Sequence, residues 1–588
     1  MTFAELSEYI QRIESTPKRN EMTEILSELF TRASAEEIDS ICYLLQGRVA
    51  PLYEATEFGI ADKIMMRAIA RATHDTEVAV ASLFKTKGDL GSVGEYLKDQ
   101  NSNIKTKDGS EKLSVCAVFD ELKTIALCVG EGSQEIKVEK LSQLLIAVDA
   151  LSAKYIVRIT LGKLRLGFSN MTMLDALSHM LEKNKSCRDR IEEVFDVRPD
   201  LGYIAKTLKE DGIHGLSHIH ATVGAPILAA LCQRLPNALE MISKMGEVDV
   251  EPKYDGVRTQ IHFKRMQKSK IKTQNERKYE VWGFSRNLEN TTAMYPELEH
   301  IADEIQADEV ILDSEAVGYD PDSDRVVPFQ ETVTRKRKHD ISLFSESVPL
   351  RFFVFDILYK DGVDLMGEPL QKRRAILETI ISSKEVLSVS PHIVTSDADT
   401  LREYHDEQIK KGLEGVVVKQ WDSQYVPGRR GYNWVKFKED EGKTGKLSDT
   451  IDCVVMGYDT GEGKRTGFGI GAFLVGIKDG ERYVSVTKIG TGVSDDLWKA
   501  LKIRFTKQST TTRPKQFAAV PGSLEPDFWI HPFIVVEIGA DDITKSPVHA
   551  AGYALRFPRL VGIREDKGPE EATTLSEFVT MYEMQGKK

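Results

Sequence analysis

Cysteine is scarce and scattered. The six thiols (Cys42, Cys116, Cys128, Cys187, Cys232 and Cys453) in 588 residues include no Cys-x-x-Cys pair. That spacing argues against a disulfide framework or a cysteine-based zinc module and leaves buried or idle thiols. No apolar run approaches the ~20 residues that cross a bilayer, so no membrane partner is expected. The opening Met-Thr-Phe-Ala-Glu-Leu-Ser-Glu lacks a basic region followed by a hydrophobic stretch, so no signal peptide is read and a cytoplasmic, intracellular protein is expected. Positive charge is also in deficit: the formal net charge is −12, so any surface for nucleic acid must be local. Internal repeats and low-complexity tracts are absent.

What is present is an ordinary globular composition, 41% hydrophobic and 29% charged, in a chain long enough for about three or four domains. Three textures follow one another. Residues 1–235 carry helical periodicity, as in the Phe3, Leu6, Ile10 stripe and the Leu26, Leu29, Phe30 stripe. Gly88-Asp-Leu-Gly91 breaks it, 99–112 reads as a polar loop, and Lys154, Arg158, Lys163 and Arg165 punctuate an aliphatic run whose simple reading is a solvated basic face. Residues 236–443 mix strand-like runs (280–285, 310–317, 351–358, 415–420) with helices such as 401–411, stopped at Gly412. Residues 444–588 hold short β runs (451–457, 471–478, 483–489, 534–538) and a closing helix at 574–583, the pattern of a small antiparallel barrel.

The chain is organised around Glu251-Pro-Lys-Tyr-Asp-Gly-Val-Arg258. Strand-like alternation leads in through Val248 and Val250 and out through residues 259–263, with Asp255-Gly256 as turn chemistry between them. A plain hairpin explains this as well as a site does. The chemical reading is that Lys253 projects from a strand end into a cleft. Its amine attacks phosphorus only when neutral, a state favoured by burial, neighbouring cations or a metal.

Further charged groups recur at later strand ends: Ser285-Arg286, Asp313-x-Glu315, Phe353-x-Phe355-Asp356, Glu414-Gly-x-x-x-Lys419, Arg429-Arg430 and Lys436-x-Lys438. Singly, each is explained by core packing or a solvated face. Together they supply what nucleotidyl transfer demands: a nucleophile, cations for a triphosphate, carboxylates for Mg²⁺ and an aromatic face for a base.

In this order the motifs resemble the covalent nucleotidyltransferase superfamily, and within it the ATP-dependent DNA ligases of the archaeal and eukaryotic replicative type. Arg556-Phe-Pro-Arg559 and Arg564-Glu-Asp-Lys567 resemble the family's C-terminal motif; Gly88–Gly91 and Leu164–Gly167 resemble parts of its helical domain. The resemblance implies an all-α DNA-binding domain (1–235), an α+β nucleotidyltransferase domain (236–443) and a β-barrel OB-fold domain (444–588). It implies that Lys253 takes up AMP from ATP. Glu251 would read the adenine edge, Phe355 stack on its face, and Arg258 and Glu315 contact the ribose. Arg286, Arg430 and Lys436, with Lys438, would hold phosphates. Glu315 and Glu414 would bind Mg²⁺, or Mn²⁺ in its place, and Arg564 and Lys567 would reach the nucleotide when the barrel closes.

The implied partner of a monomeric enzyme is nicked duplex DNA, held through its phosphates because sealing ignores sequence. Two basic clusters, 264–278 and Arg335–Lys338, are either DNA contacts or solvated loops. Archaeal relatives often carry a glutamine with paired aromatics for a sliding clamp; the stretch from Gln100 to Lys107 has no aromatic pair. An RNA ligase or capping guanylyltransferase shares the lysine chemistry and is the alternative, as, more distantly, is a DNA-binding scaffold without activity.

Overall fold

The computed structural model describes the chain except residues 101–112, 165, 236, 267–277, 321–324, 327–348, 383–384, 429, 439–449, 462–468, 491–492, 541 and 585–588. Two compact units emerge: Met1–Leu164 with Ser169–Phe437, and Lys438–Lys588 with Arg165–Phe168. No helix among the described residues is long and apolar enough to cross a membrane.

The first unit begins with α-helices running from Phe3–Glu14 to Leu201–Gly215. The first starts at Thr2, whose hydroxyl and the Glu5 carboxylate satisfy each other's exposed backbone donors. Its Phe3, Leu6, Ile10 and Ile13 fall on one side and are buried, because residues three and four apart share a helix face.

The expected solvated basic face is overturned at its centre. In the helix Ala150–Thr160, Lys154 and Arg158 are only 9% and 5% exposed. Arg158 donates to Glu14 at 2.8 Å and, through Nε and Nη2, to Asp89 at 3.0 and 2.8 Å; Lys154 pairs with Glu14 at 3.1 Å. The Gly88–Gly91 stretch is the other half of this joint. Gly88, at φ +70°, ends the helix Glu77–Lys87, and Gly91 lies inside the next, Leu90–Gln100. A Cβ on Gly91 would lie 2.7 Å from Arg158 Cγ and 2.8 Å from the Lys154 carbonyl oxygen. Gly91→Ala is therefore expected to cost about 1–3 kcal/mol by overpacking, read as a lowered urea midpoint. An unchanged midpoint would discard close approach as the reason for glycine.

The rest of this unit is built on two sheets. One has the strand order Leu231–Arg234, Arg430–Lys438, Gly415–Gln420, Val248–Pro252, Ile393–Thr395. The other orders Tyr279–Ser285, Val257–Arg265, Glu309–Asp320, Leu350–Lys360 and Val363–Asp364, with short strands beside two of these. The strands before and after Lys253 thus lie in different sheets, and the plain hairpin is excluded. Val248 and Val250 pack with Val416, Val418, Val435, Leu401 and Met241. Ile261, Phe263, Val310, Leu312, Phe352 and Val354 form the core of the second sheet.

The connection from the helices is pinned to the second sheet by a buried polar pair. Gly224 N donates to His262 Nδ1 at 3.1 Å, His262 Nε2 lies 2.9 Å from Gln260 Oε1, and the Gln260 amide exchanges bonds with the Ile227 backbone at 2.8 and 3.2 Å. An accepting Nδ1 requires the neutral ring, and burial pulls the His262 pKa down to about 3. The unfolded chain takes this proton near pH ~6.5. Stability from His262 is thus present above that pH and is lost as pH falls below it. His262→Gln is expected to flatten the decline of the melting temperature between pH ~7 and ~5; an unchanged slope removes His262 as its source.

The first residues of the basic run serve the fold. Lys264 pairs with Glu309 at 2.6 Å, and Arg265 donates to the carbonyls of Ala302, Ile305 and Ala307. Residues 267–277, Arg335–Lys338 and 101–107, on which the other basic-cluster and clamp expectations fall, lie outside the described residues.

In the second unit an antiparallel sheet orders Arg482–Ile489, Ala472–Asp479, Ile451–Asp459, Phe528–Ile530 and Ser509–Thr510; Val535–Gly539 pairs with Ile451–Asp459 and with Arg559–Ile563. Ile451, Cys453, Val455, Phe473, Val475 and Val486 face a core closed by Trp498, Phe505 and Phe578. The last of these comes from the final helix, Leu575–Met584.

Candidate active site

Lys253 lies just past the strand Val248–Pro252, which pairs antiparallel with Gly415–Gln420. The pairing runs on for one more residue: Lys253 N donates to Gly415 O at 2.9 Å and Glu414 N to Lys253 O at 3.2 Å. The two side chains therefore stand together, with Lys253 Nζ 2.5 Å from Glu414 Oε2 and the side chains 23% and 20% exposed.

The chain then crosses to the second sheet at Asp255-Gly256. A Cβ on Gly256 would lie 2.5 Å from the Ala316 carbonyl oxygen and 2.9 Å from Glu315 Cγ. Glycine is needed there for close approach to the Glu315 strand, whose register sets Arg258 opposite Glu315. Burial pushes the Glu315 carboxyl up to about 7, against the pull of Lys253 and Arg258, while Asp313 and Glu414 push it further up. Lys253, Glu315 and Glu414, which lie far apart in sequence, thus share one electrostatic neighbourhood. Among the described residues no three His, Cys, Asp or Glu side chains form a group suited to a metal ion. Two carboxylates remain, which with substrate phosphates are the ligands Mg²⁺ commonly takes.

Other predicted site residues surround this centre in different ways. Phe353 and Phe355 lie on one face of Leu350–Lys360, as alternation requires, but Phe353 stacks on Tyr254 at 4.3 Å. Phe355 stands edge-on to Trp434, with Lys419 Nζ 4.8 Å and Arg258 Cζ 5.5 Å from its ring. Arg258 is committed within the protein: it grips Asp313 at 3.0 and 2.6 Å and donates to the Ala230 carbonyl at 2.7 Å, while Tyr425 Oη donates to the same carboxylate at 2.8 Å. Glu251 is 2% exposed, with one oxygen on Arg374 and the other on Lys419, both at 2.7 Å. Burial drives its pKa up, and Lys419 and Arg374 oppose that rise.

Arg286 is exposed beside Ser285 and shares a small cleft with Arg258 and Asp313. Arg430 opens the strand that carries Lys436, which is half-buried. In the second unit Asp452 gathers Arg564, at 3.1 and 3.2 Å, and Lys567, at 2.6 Å. Sequence reasoning did not single out Arg374, Asp452, Trp434 or Tyr425 for a role. Asp313 entered only as the companion of Glu315. Their partners lie up to more than a hundred positions away, where no local pattern points.

Residues 226–438 match the family described as ATP dependent DNA ligase domain. Residues 2–178 and 466–567 match the DNA ligase N terminus and the ATP dependent DNA ligase C terminal region. A probable DNA ligase of Dictyoglomus thermophilum is 43% identical over 600 residues, covering 100% of this chain and 98% of the relative. The DNA ligase of Staphylothermus marinus is 38% identical over 615 residues, with 100% of both chains covered. The chain belongs to the ATP-dependent DNA ligases. Its family therefore joins a helical N-terminal domain, a nucleotidyltransferase domain and a C-terminal domain in one chain. The solved structure Pmar-Lig_PreS3 shares that overall fold at TM-score 0.53 and 17% identity, covering 95% of this chain and 99% of that one. The enzyme is a DNA ligase that draws on ATP and proceeds through an adenylate intermediate.

Proposed function

We propose that Lys253 is the residue that carries AMP and that the substrate is nicked duplex DNA. The observation that supports this reading best is the amine itself, at a strand end 2.5 Å from Glu414 and within the field of Glu315. Lys253 Nζ forms a bond to the α-phosphorus of ATP, and the bond to the β-phosphate oxygen breaks, releasing pyrophosphate. A 5′-phosphate oxygen at the nick then attacks the same phosphorus, which breaks the P–N bond and frees the amine. The 3′-hydroxyl oxygen attacks the activated 5′-phosphate, and AMP leaves.

Glu315 and Glu414 are the residues that would hold Mg²⁺, or Mn²⁺, which when bound neutralises phosphate charge. Glu251 reads the adenine edge, Phe355 lies against its face, and Arg286, Arg430, Lys436 and Lys438 hold phosphates. Arg258, whose donors already serve Asp313 and Ala230, acts chiefly by fixing the walls of the site, with the ribose contact falling mainly to Glu315. Arg564 and Lys567 neutralise the departing pyrophosphate, exchanging Asp452 for phosphate as they do so. Residues 1–235, 236–443 and 444–588 act as three domains, the last an OB-type barrel. The working species is a monomer in the cytoplasm, and DNA is gripped through phosphates without base readout.

The test is incubation with α-labelled ATP and Mg²⁺, followed by nicked DNA and, separately, nicked RNA. A covalent protein–AMP adduct and sealed DNA are expected. Sealing of RNA alone, or, in a parallel incubation with α-labelled GTP, transfer of GMP to an RNA end, would replace this reading with the RNA-directed one.

A further inference from the structure

The helix Leu370–Ile380 sends Arg374 into the protein, where it is 3% exposed. Three of its donors go to three separate segments: Nη1 to Glu251 at 2.7 Å, Nε to Glu378 at 3.1 Å, and Nη2 to the Ser390 carbonyl. On the far side of Glu251, Lys419 Nζ meets the second carboxylate oxygen at 2.7 Å and the Phe355 carbonyl at 3.0 Å. The carboxylate is thus clamped from both sides by fully buried cations. It cannot turn without leaving a buried charge unpaired. Asp249, two residues earlier on the same strand face, is 0% exposed, and its Oδ1 meets His392 at 2.5 Å.

We propose that Arg374 is a positioning residue that fixes Glu251 as a hydrogen-bond acceptor for a purine 6-amino group, and so sets the preference for adenine over 6-oxopurine nucleotides. The proposal rests on the reading of Glu251 as the residue that meets the base. An amino group at the 6-position donates to a fixed carboxylate. A 6-oxo group presents an acceptor to an acceptor and leaves both buried groups unpaired, the kind of mismatch on which strong discrimination is built. That discrimination requires a carboxylate that cannot swing aside. Lys419 holds only one oxygen, so the second contact decides the orientation.

The experiment compares protein–nucleotide adduct formation from ATP and from ITP, as second-order rates, in the full-length enzyme and in Arg374→Gln, Arg374→Lys and Glu251→Gln. The unaltered enzyme is expected to favour ATP. Arg374→Gln is expected to narrow the ATP-to-ITP ratio by about tenfold or more, mostly through ATP's half-saturation concentration, and Arg374→Lys to narrow it less. If Arg374→Gln does not fold, Arg374→Lys carries the test through its own ratio. A purely structural role would slow both nucleotides alike, and an unchanged ratio in the arginine variants overturns the proposal. Equal use of ATP and ITP by the unaltered enzyme overturns it too. Glu251→Gln, which offers a donor, should shift the ratio toward ITP. If it does not, the reading of Glu251 fails; if it does while the arginine variants leave the ratio alone, only the role of Arg374 fails.

Discussion

Lys253→Ala is expected to form no covalent nucleotide adduct and to lose ATP-driven sealing by ~10⁴-fold or more, the scale seen when a nucleophile is removed from an assembled site. The variant keeps the backbone bonds to Gly415 and Glu414, which fix the strand end, so its fold should persist. It should also keep one activity. A nick whose 5′-phosphate already carries AMP needs only the final attack by the 3′-hydroxyl, and no step of that attack passes through the amine. Sealing of such a substrate is therefore expected within about tenfold of the unaltered enzyme, since positioning and charge stabilisation supply the rest of the catalysis. Normal adduct formation by Lys253→Ala would place the nucleophile elsewhere. Loss of both reactions together with a collapsed melting curve would show that the lysine supports the fold instead.

The second large effect is on stability. Arg373 and Asp356 are both 0% exposed in their side chains, and they meet through two bonds at 2.8 and 3.0 Å. Arg373 also donates to the carbonyls of Glu368 at 2.5 Å and Ser423 at 3.1 Å. Arg373→Met leaves the Asp356 carboxylate buried without its cation, and removing one member of such a pair costs about 3–5 kcal/mol. The drop should appear in the denaturant midpoint. The double variant Arg373→Met with Asp356→Leu should recover much of it, because the larger part of the penalty is the stranded charge. If the double variant is as unstable as the sum of the two singles, the pair itself holds the structure together and the stranded charge is not the cause.

In the sequence Asp356 reads with Phe355 as part of a functional run, yet its carboxylate is spent on Arg373 of the helix Leu370–Ile380. Lys154 and Arg158 read as a solvent face because charges spaced along a helix usually are one; they are buried because Glu14, from the first helix, and Asp89, from the turn before Leu90–Gln100, reach them. Gly256 reads as a turn residue and the chain does bend there, but a Cβ at that position is also excluded by the neighbouring strand. In each case the residue type was legible and its reason was not, since that reason is a partner distant in the chain. Glu251 shows the same limit inside the site. Its place two residues before the lysine was plain, but the arginine that clamps it comes from 123 positions further on.

By itself the sequence determined the helical, mixed and β-rich succession, since periods of 3.6 and 2 are local properties of side-chain order. It also determined which family's chemistry the chain carries, because nucleophile, acids and cations recur in a set order along strand ends. Only the tertiary structure decided that the strands flanking Lys253 part into two sheets, that Glu414 is brought beside its amine and Glu315 into the same field, and that Arg258, Arg373 and Arg374 form ion pairs inside the protein. Ion pairing and close approach depend on distances of a few ångströms between residues far apart in the chain, and those distances exist only once the sheets have formed.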